Sequence, residues 1–182
     1  MKPGLTLKTT LLVFLFTFTF LVSAMPRPPT KLPNLKLMGS DAKKHYLHEY
    51  LPEKKWTTIV VWGPKCPACI EEMPEIQGLF DDTKENNINV FGLAVDFPSF
   101  DYAKLKQVQQ FEEDYFISFP NLLISSSIYY ELGLGPLKGT PTIILVNPKG
   151  EVSAVQLGGV PRKVIEQFIN DENAKFTNDQ TH

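Results

Sequence analysis

Apolar residues follow two kinds of pattern along this chain. Three short runs are apolar at most positions: Thr57 to Trp62 (TTIVVW), Asn89 to Val95 (NVFGLAV) and Thr142 to Val146 (TIILV). Runs of this length and β-rich composition predict buried strands. Between them the period lengthens. Ile70, Met73, Ile76, Gln77 and Phe80 fall at helical spacing. So do Leu105, Val108 and Phe111 within the polar stretch Tyr102 to Tyr115, and Val164, Ile165, Phe168 and Ile169 after Pro161. Each set predicts a helix with one face against a core. Asn34 to Met38 predicts a short strand, and the polar Asp41 to Leu51 a helical turn. Asn147-Pro148-Lys149-Gly150 predicts a tight turn, because Pro fixes φ and Gly accepts a left-handed conformation. Glu151 to Leu157 then returns as the second arm of a hairpin. Strand, helix, strand, helix, hairpin and helix, in that order, imply an α/β fold with a mixed sheet and helices on both faces.

The ends of the chain depart from this pattern. Lys2 and Lys8 precede an apolar run, Leu11 to Val22, that only Thr17 and Thr19 interrupt, and Val22-Ser23-Ala24 closes it with small residues. This is the pattern of a secretory signal peptide over residues 1–24. The run is short for a membrane span, which takes about 20 residues; a retained N-terminal anchor is the alternative. Either way the rest of the chain is expected to be exported. Pro26, Pro28, Pro29 and Pro33 predict an extended leader over 25–34. Residues 35–170 are expected to form one domain, and 171–182 a polar tail. The chain of 182 residues carries a net charge of −2, and losing Lys2 and Lys8 makes it more acidic. Nothing in that balance points to nucleic acid or to an anionic membrane surface. The chain is long enough to bury a core without covalent staples.

Composition changes the picture at one point. Both cysteines stand in the stretch WGPKCPACIEEMPEI, as Cys66 and Cys69. An exported chain with one cysteine pair invites a structural disulfide, but a bridge across so small a loop restrains the unfolded chain little. The local sequence suits chemistry better. Pro67 fits the first helical position and Ala68 favours helix. Cys66 then caps the helix, facing free N–H groups and a partial positive charge of about +0.5, which favours its thiolate. Lys65 adds to this if its amine turns inward. Cys69 lies one turn on, within disulfide reach. One thiol attacks and the other resolves, which is thiol–disulfide exchange. A zinc-type site of His45, His48, Cys66 and Cys69 is the metal alternative, and copper capture by the two thiols another.

With these residues in view, the sequence resembles the thioredoxin superfamily, in particular the exported TlpA/ResA-type thiol–disulfide oxidoreductases of bacteria. The likeness runs from about Leu35 to Ile169. It rests on the strand ending at Trp62 before Cys66-Pro67-Ala68-Cys69, on Glu72-Met73-Pro74, on Gly139-Thr140-Pro141-Thr142, and on the Asn147–Gly150 hairpin.

The resemblance implies a thioredoxin-like three-layer α/β/α sandwich with a mixed central sheet. It implies Cys66 as nucleophile, Cys69 as resolving thiol and Glu72 as the group that shuttles the proton of Cys69. Pro141 would be cis, and Pro74, which removes one helical hydrogen bond, would kink its helix. Thr140 would pair its backbone with an extended client, beside Trp62 and Lys65. Trp62 is expected as a wall of the site or as core. Lys65 stands where the family often has an aromatic residue, so the client surface is more cationic. The protein would need no cofactor or metal and no nucleic acid. It would act as a monomer, most simply in a periplasm, on client proteins with thiols or disulfides. A membrane-bound or soluble redox partner would serve it upstream. Electron flow in the reducing direction is expected, since the histidine that strongly oxidising members place between their cysteines is replaced by Pro67-Ala68. A copper-binding assembly factor and a peroxiredoxin-like thiol peroxidase are the rival functions. The second would need a Thr between Trp62 and Cys66, which is lacking.

Overall fold

The computed structural model describes residues 30–96 and 104–179. The expected signal segment, the first half of the leader and the expected start of the Tyr102 helix lie outside the described residues. Among the described residues, eight strands form one sheet: β1 (Thr30–Lys31), β2 (Lys36–Gly39), β3 (Lys44–Tyr46), β4 (Trp56–Trp62), β5 (Ile88–Asp96), β6 (Asn121–Ser125), β7 (Thr142–Val146) and β8 (Glu151–Leu157). Their order is β1-β8-β7-β4-β5-β6-β2-β3. β4, β5 and β6 are parallel, and β7 lies antiparallel to β4 on one side and to β8 on the other. Helices α1 (Pro67–Asp81), α2 (Thr83–Asn86), α3 (Leu105–Asp114), α4 (Ser126–Glu131) and α5 (Arg162–Asp179) complete the described fold, with a 3-10 turn at Leu47–Tyr50.

β4 shows why the layers form. Every residue from Trp56 to Trp62 is buried, and successive side chains alternate between the two faces. Val60 and Trp62 pack with Met73, Ile76 and Leu79 of α1, Val108 and Phe111 of α3, and Ile165 and Ile169 of α5. Ile59 and Val61 pack on the other side with Leu47, Tyr129 of α4 and Leu132. The result is the three-layer sandwich with a mixed sheet that the pattern implies.

Several boundaries differ. The stretch expected as a helical turn contains a strand, β3, before its 3-10 turn. β6 and α4 fill a region for which the pattern made no assignment. The leader enters the fold before residue 35: Thr30 and Lys31 pair with β8, and Leu32 is buried. The segment expected as a tail continues α5 to Asp179. There Asn173 Oδ1 accepts a 2.8 Å hydrogen bond from Trp56 Nε1, and Lys175 pairs with Glu172 at 2.6 Å. The Trp56 bond ties to the sheet the start of a segment that composition alone describes as loose.

Candidate active site

At the end of β4 the chain turns through Gly63-Pro64-Lys65 into α1. The Cys66 N–H donates to the Gly63 carbonyl at 3.0 Å. Cys66 is the N-cap, with extended backbone (φ −96, ψ 107), and Pro67 opens the helix. Its Sγ accepts the Cys69 N–H at 3.2 Å. The sulfur thus lies at the positive end of the helix dipole, and α1 has no acidic residue in its first turn to offset that field. Cys66 and Cys69 are joined as a disulfide, with Cα atoms 5.2 Å apart. Cys66 is 9% exposed and Cys69 fully buried, so an incoming group meets Cys66 first.

The loop before β7 supplies the opposite wall. The Thr140 carbonyl oxygen lies 3.4 Å from Cys66 Sγ, and the Thr140–Pro141 peptide is cis. Pro141 is buried and Thr140 half-buried. The Thr142 hydroxyl donates to the Gly139 carbonyl at 2.8 Å, and the Gly158 N–H to the Pro141 carbonyl at 2.9 Å, tying the loop to β8. The structure therefore brings Cys66, Cys69, Thr140 and Pro141 together.

Glu72 stands one turn beyond Cys69 and is only 6% exposed. Burial pushes its carboxyl above the usual range; the Val160 N–H, donating to Oε1 at 2.8 Å, opposes that rise, and the nearby charge of Glu75 adds to it. A Cβ at Gly159 would collide with Glu72 Oε2. A side chain at position 159 would therefore require the Glu72 carboxylate to move. Val160 and Gly159 are the site residues that sequence reasoning missed; the Gly158-Gly159 pair was the available signal.

One expected site residue, Trp62, stands apart from the disulfide surface. Trp62 is wholly buried; its Nε1 donates to Asn121 Oδ1 at 2.8 Å, and its ring lies 4.5 Å from that of Phe111. It is core, and cannot touch a client, because the even-numbered positions of β4 face the α1 layer. Asn121 in turn donates to Glu112 Oε1 at 2.9 Å, and burial raises the Glu112 carboxyl, with hydrogen bonds from Ser40 and Asn121 opposing. Lys65 is exposed beside the disulfide. His45 and His48 do not join the cysteines. His45 pairs with Asp41 and Glu49 on β3, at the far edge of the sheet, and His48 Nε2 lies 2.8 Å from the Leu32 carbonyl.

A buried disulfide capping a helix at the end of a central strand, on a three-layer mixed sheet, defines the thioredoxin-like class of dithiol proteins. The family model described as AhpC/TSA matches residues 28–155, and the chain belongs to that family. It is similar to the thiol-disulfide oxidoreductase ResA of Halalkalibacterium halodurans, 30% identical over 118 residues, which cover 64% of this chain and 62% of that protein. The likeness thus spans less than two thirds of that relative's length. The ResA of Geobacillus thermodenitrificans is 24% identical over 138 residues, 75% of this chain and 73% of that one. Among solved structures, a thioredoxin-family thiol:disulfide interchange protein from Chlorobium tepidum TLS shares the fold with a TM-score of 0.66. It is 19% identical, and the match covers 80% of this chain and 97% of that one.

Proposed function

We propose that this protein is a thiol–disulfide oxidoreductase that exchanges the Cys66–Cys69 couple with cysteines of client proteins, in the reducing direction. The observation that carries it is the helix-capping disulfide with Cys66 outermost, facing the Thr140 loop. The chain's likeness to proteins named ResA supports the same reading.

The steps follow from the geometry. In the reduced protein the helix terminus favours the Cys66 thiolate. That thiolate attacks one sulfur of a client disulfide, forming a mixed disulfide and releasing the client's other sulfur as thiolate. Cys69 then gives up its proton and attacks Cys66 Sγ. The Cys66–Cys69 disulfide forms, the second client sulfur leaves as thiolate, and two electrons have passed to the client. Cys69 is buried, so its proton needs an internal acceptor. Glu72 is one turn away with its carboxyl raised by burial, which suits a group that takes a proton from a thiol and releases it again. Thr140 offers its N–H to an extended client: nothing among the described residues accepts it. Lys65 borders this surface with a positive charge. An upstream reductant restores the dithiol. The N-terminal segment supports an exported, periplasmic location.

Equilibration against thiol buffers of graded potential tests this function. A single two-electron transition, in a reducing range near that of thioredoxin at about −270 mV, is expected. A couple as oxidising as about −120 mV would reverse the direction. Rapid stoichiometric oxidation of the reduced protein by hydrogen peroxide, with slow client exchange, would favour the peroxidase instead.

A further inference from the structure

β8 lies inside only one outer strand, and that strand is short. β1 has two residues and pairs with β8 at Glu151 and Val152. Among the described residues, no strand pairs with the outer edge of β8 from Ser153 to Leu157. Ser153-Ala154-Val155-Gln156-Leu157 carries no charge and no proline, two of the devices that keep an exposed edge from pairing; a third, a bulge, stands only at its start, where the β7–β8 register skips Ser153. Val155 is 46% and Leu157 50% exposed, two residues apart on one face.

The backbone groups of this edge have a definite direction. The Gly158 N–H bonds the Pro141 carbonyl, which makes these two a hydrogen-bonded pair. Bonded and unbonded pairs alternate in an antiparallel ladder. By the β7–β8 register, Gln156 and Ala154 then face β7, while Val155 and Leu157 turn their N–H and C=O outward. The Leu157 carbonyl accepts only a local bond, 2.9 Å from the side-chain amide of Gln156. The chain's own leader is poorly suited to this edge. Antiparallel continuation of β1 would carry residues 25–29 along it, but Pro26, Pro28 and Pro29 have no N–H to donate.

The open edge runs into the redox loop. Leu157 is the register partner of Thr142, and its Cδ1 would lie 3.2 Å from a Cβ on Gly139, next to Thr140. We propose that the outer edge of β8 docks an extended segment of the client polypeptide by strand addition, with Val155 and Leu157 supplying the backbone pairing. This rests on the exchange reading given above. Its continuity with the Thr140 loop favours a client over a second copy of this chain, which would lie across the approach that exchange needs. A docked strand lies one spacing outside β8, and β8 lies two spacings from β4, whose end carries Cys66. At about 4.8 Å per spacing the client must bridge roughly 14 Å, about four extended residues. The clients it fits are unfolded chains with an uncharged, strand-forming stretch about four residues from the reacting cysteine.

The test compares two disulfide substrates: a small aromatic disulfide, and a peptide disulfide carrying such a stretch. Val155→Pro removes an outward N–H and no bond to β7, a placement proline tolerates on an edge. It should raise KM for the peptide about tenfold, the worth of one or two lost hydrogen bonds, and change kinetics with the small disulfide less than about twofold. N-methylating alternate peptide amides, with the wild-type protein, should cost a similar factor and needs no variant to fold. In a peptide series, KM should be lowest with the cysteine about four residues from the stretch. Equal KM for plain and N-methylated peptides would overturn the proposal, as would a Val155-dependent dimer in sedimentation, which would assign the edge to a second copy. If wild type reduces neither substrate, the exchange reading itself fails and this proposal falls with it; if it reduces both without regard to the edge, only this proposal falls.

Discussion

Buried beside Gly159, the Glu72 carboxylate has one described hydrogen-bond donor, the Val160 N–H, and a like charge nearby in Glu75. Its folded pKa is therefore raised above the ordinary 4.5. Between 4.5 and that raised value the folded state holds a proton that the unfolded chain has lost. Stability consequently falls as pH rises through this window, and the deficit is complete above it. Glu72→Gln keeps the acceptor for Val160 and removes the deficit. The variant should match wild type below pH 4.5 and unfold at an equal or higher temperature at neutral pH, measured by thermal denaturation across pH. Release of the mixed disulfide should slow by about 100-fold if the carboxylate takes the Cys69 proton. A variant less stable at neutral pH would contradict the burial account, and unchanged release kinetics would contradict the proton role. Cys66, Cys69 and Glu72 were legible in the sequence, because capping and helical spacing are local. Trp62 was not settled there: whether the end of a strand faces a core or a cleft depends on Asn121 and Phe111, which reach it from β6 and α3.

At the scale of elements, one close approach packs β5 against side chains from β4 and β6. A Cβ on Gly92 would overlap Asn121 Oδ1 and come within 2.8 Å of Trp62 Nε1. Gly92→Ala should therefore break the buried Trp62–Asn121 hydrogen bond as well as overfill the layer. The expected loss is about 2–4 kcal/mol of stability with an unchanged m-value in urea unfolding. A loss under about 0.5 kcal/mol would mean that the network yields freely. The buried strands β4, β5 and β7 were legible as apolar runs, and α1, α3 and α5 as helical periods. β6 and α4 were not, because Asn121 to Glu131 passes from strand to helix with no Gly or Pro between them. The local sign is Ser125, whose hydroxyl caps α4 by accepting the Ile128 N–H at 3.1 Å.

For the whole molecule, the sheet gathers at one pole what the sequence spreads over many residues: the end of β4 with the disulfide, the start of β7 with Thr140, and the turn after β8 that closes over Glu72. The order of those motifs made the architecture legible; the contacts of Val160 and the open edge of β8 were not, because both depend on register across the sheet. The central claim is that Cys66 attacks and Cys69 resolves. It is tested most directly by mixing the reduced Cys69→Ala and Cys66→Ala variants separately with a disulfide-bonded client peptide and weighing the intact proteins. Cys69→Ala should accumulate a stable mixed disulfide on Cys66, and Cys66→Ala, with its remaining thiol buried, almost none. Adducts on Cys69 in the second variant at a rate equal to the first, or none in either, would contradict the assignment.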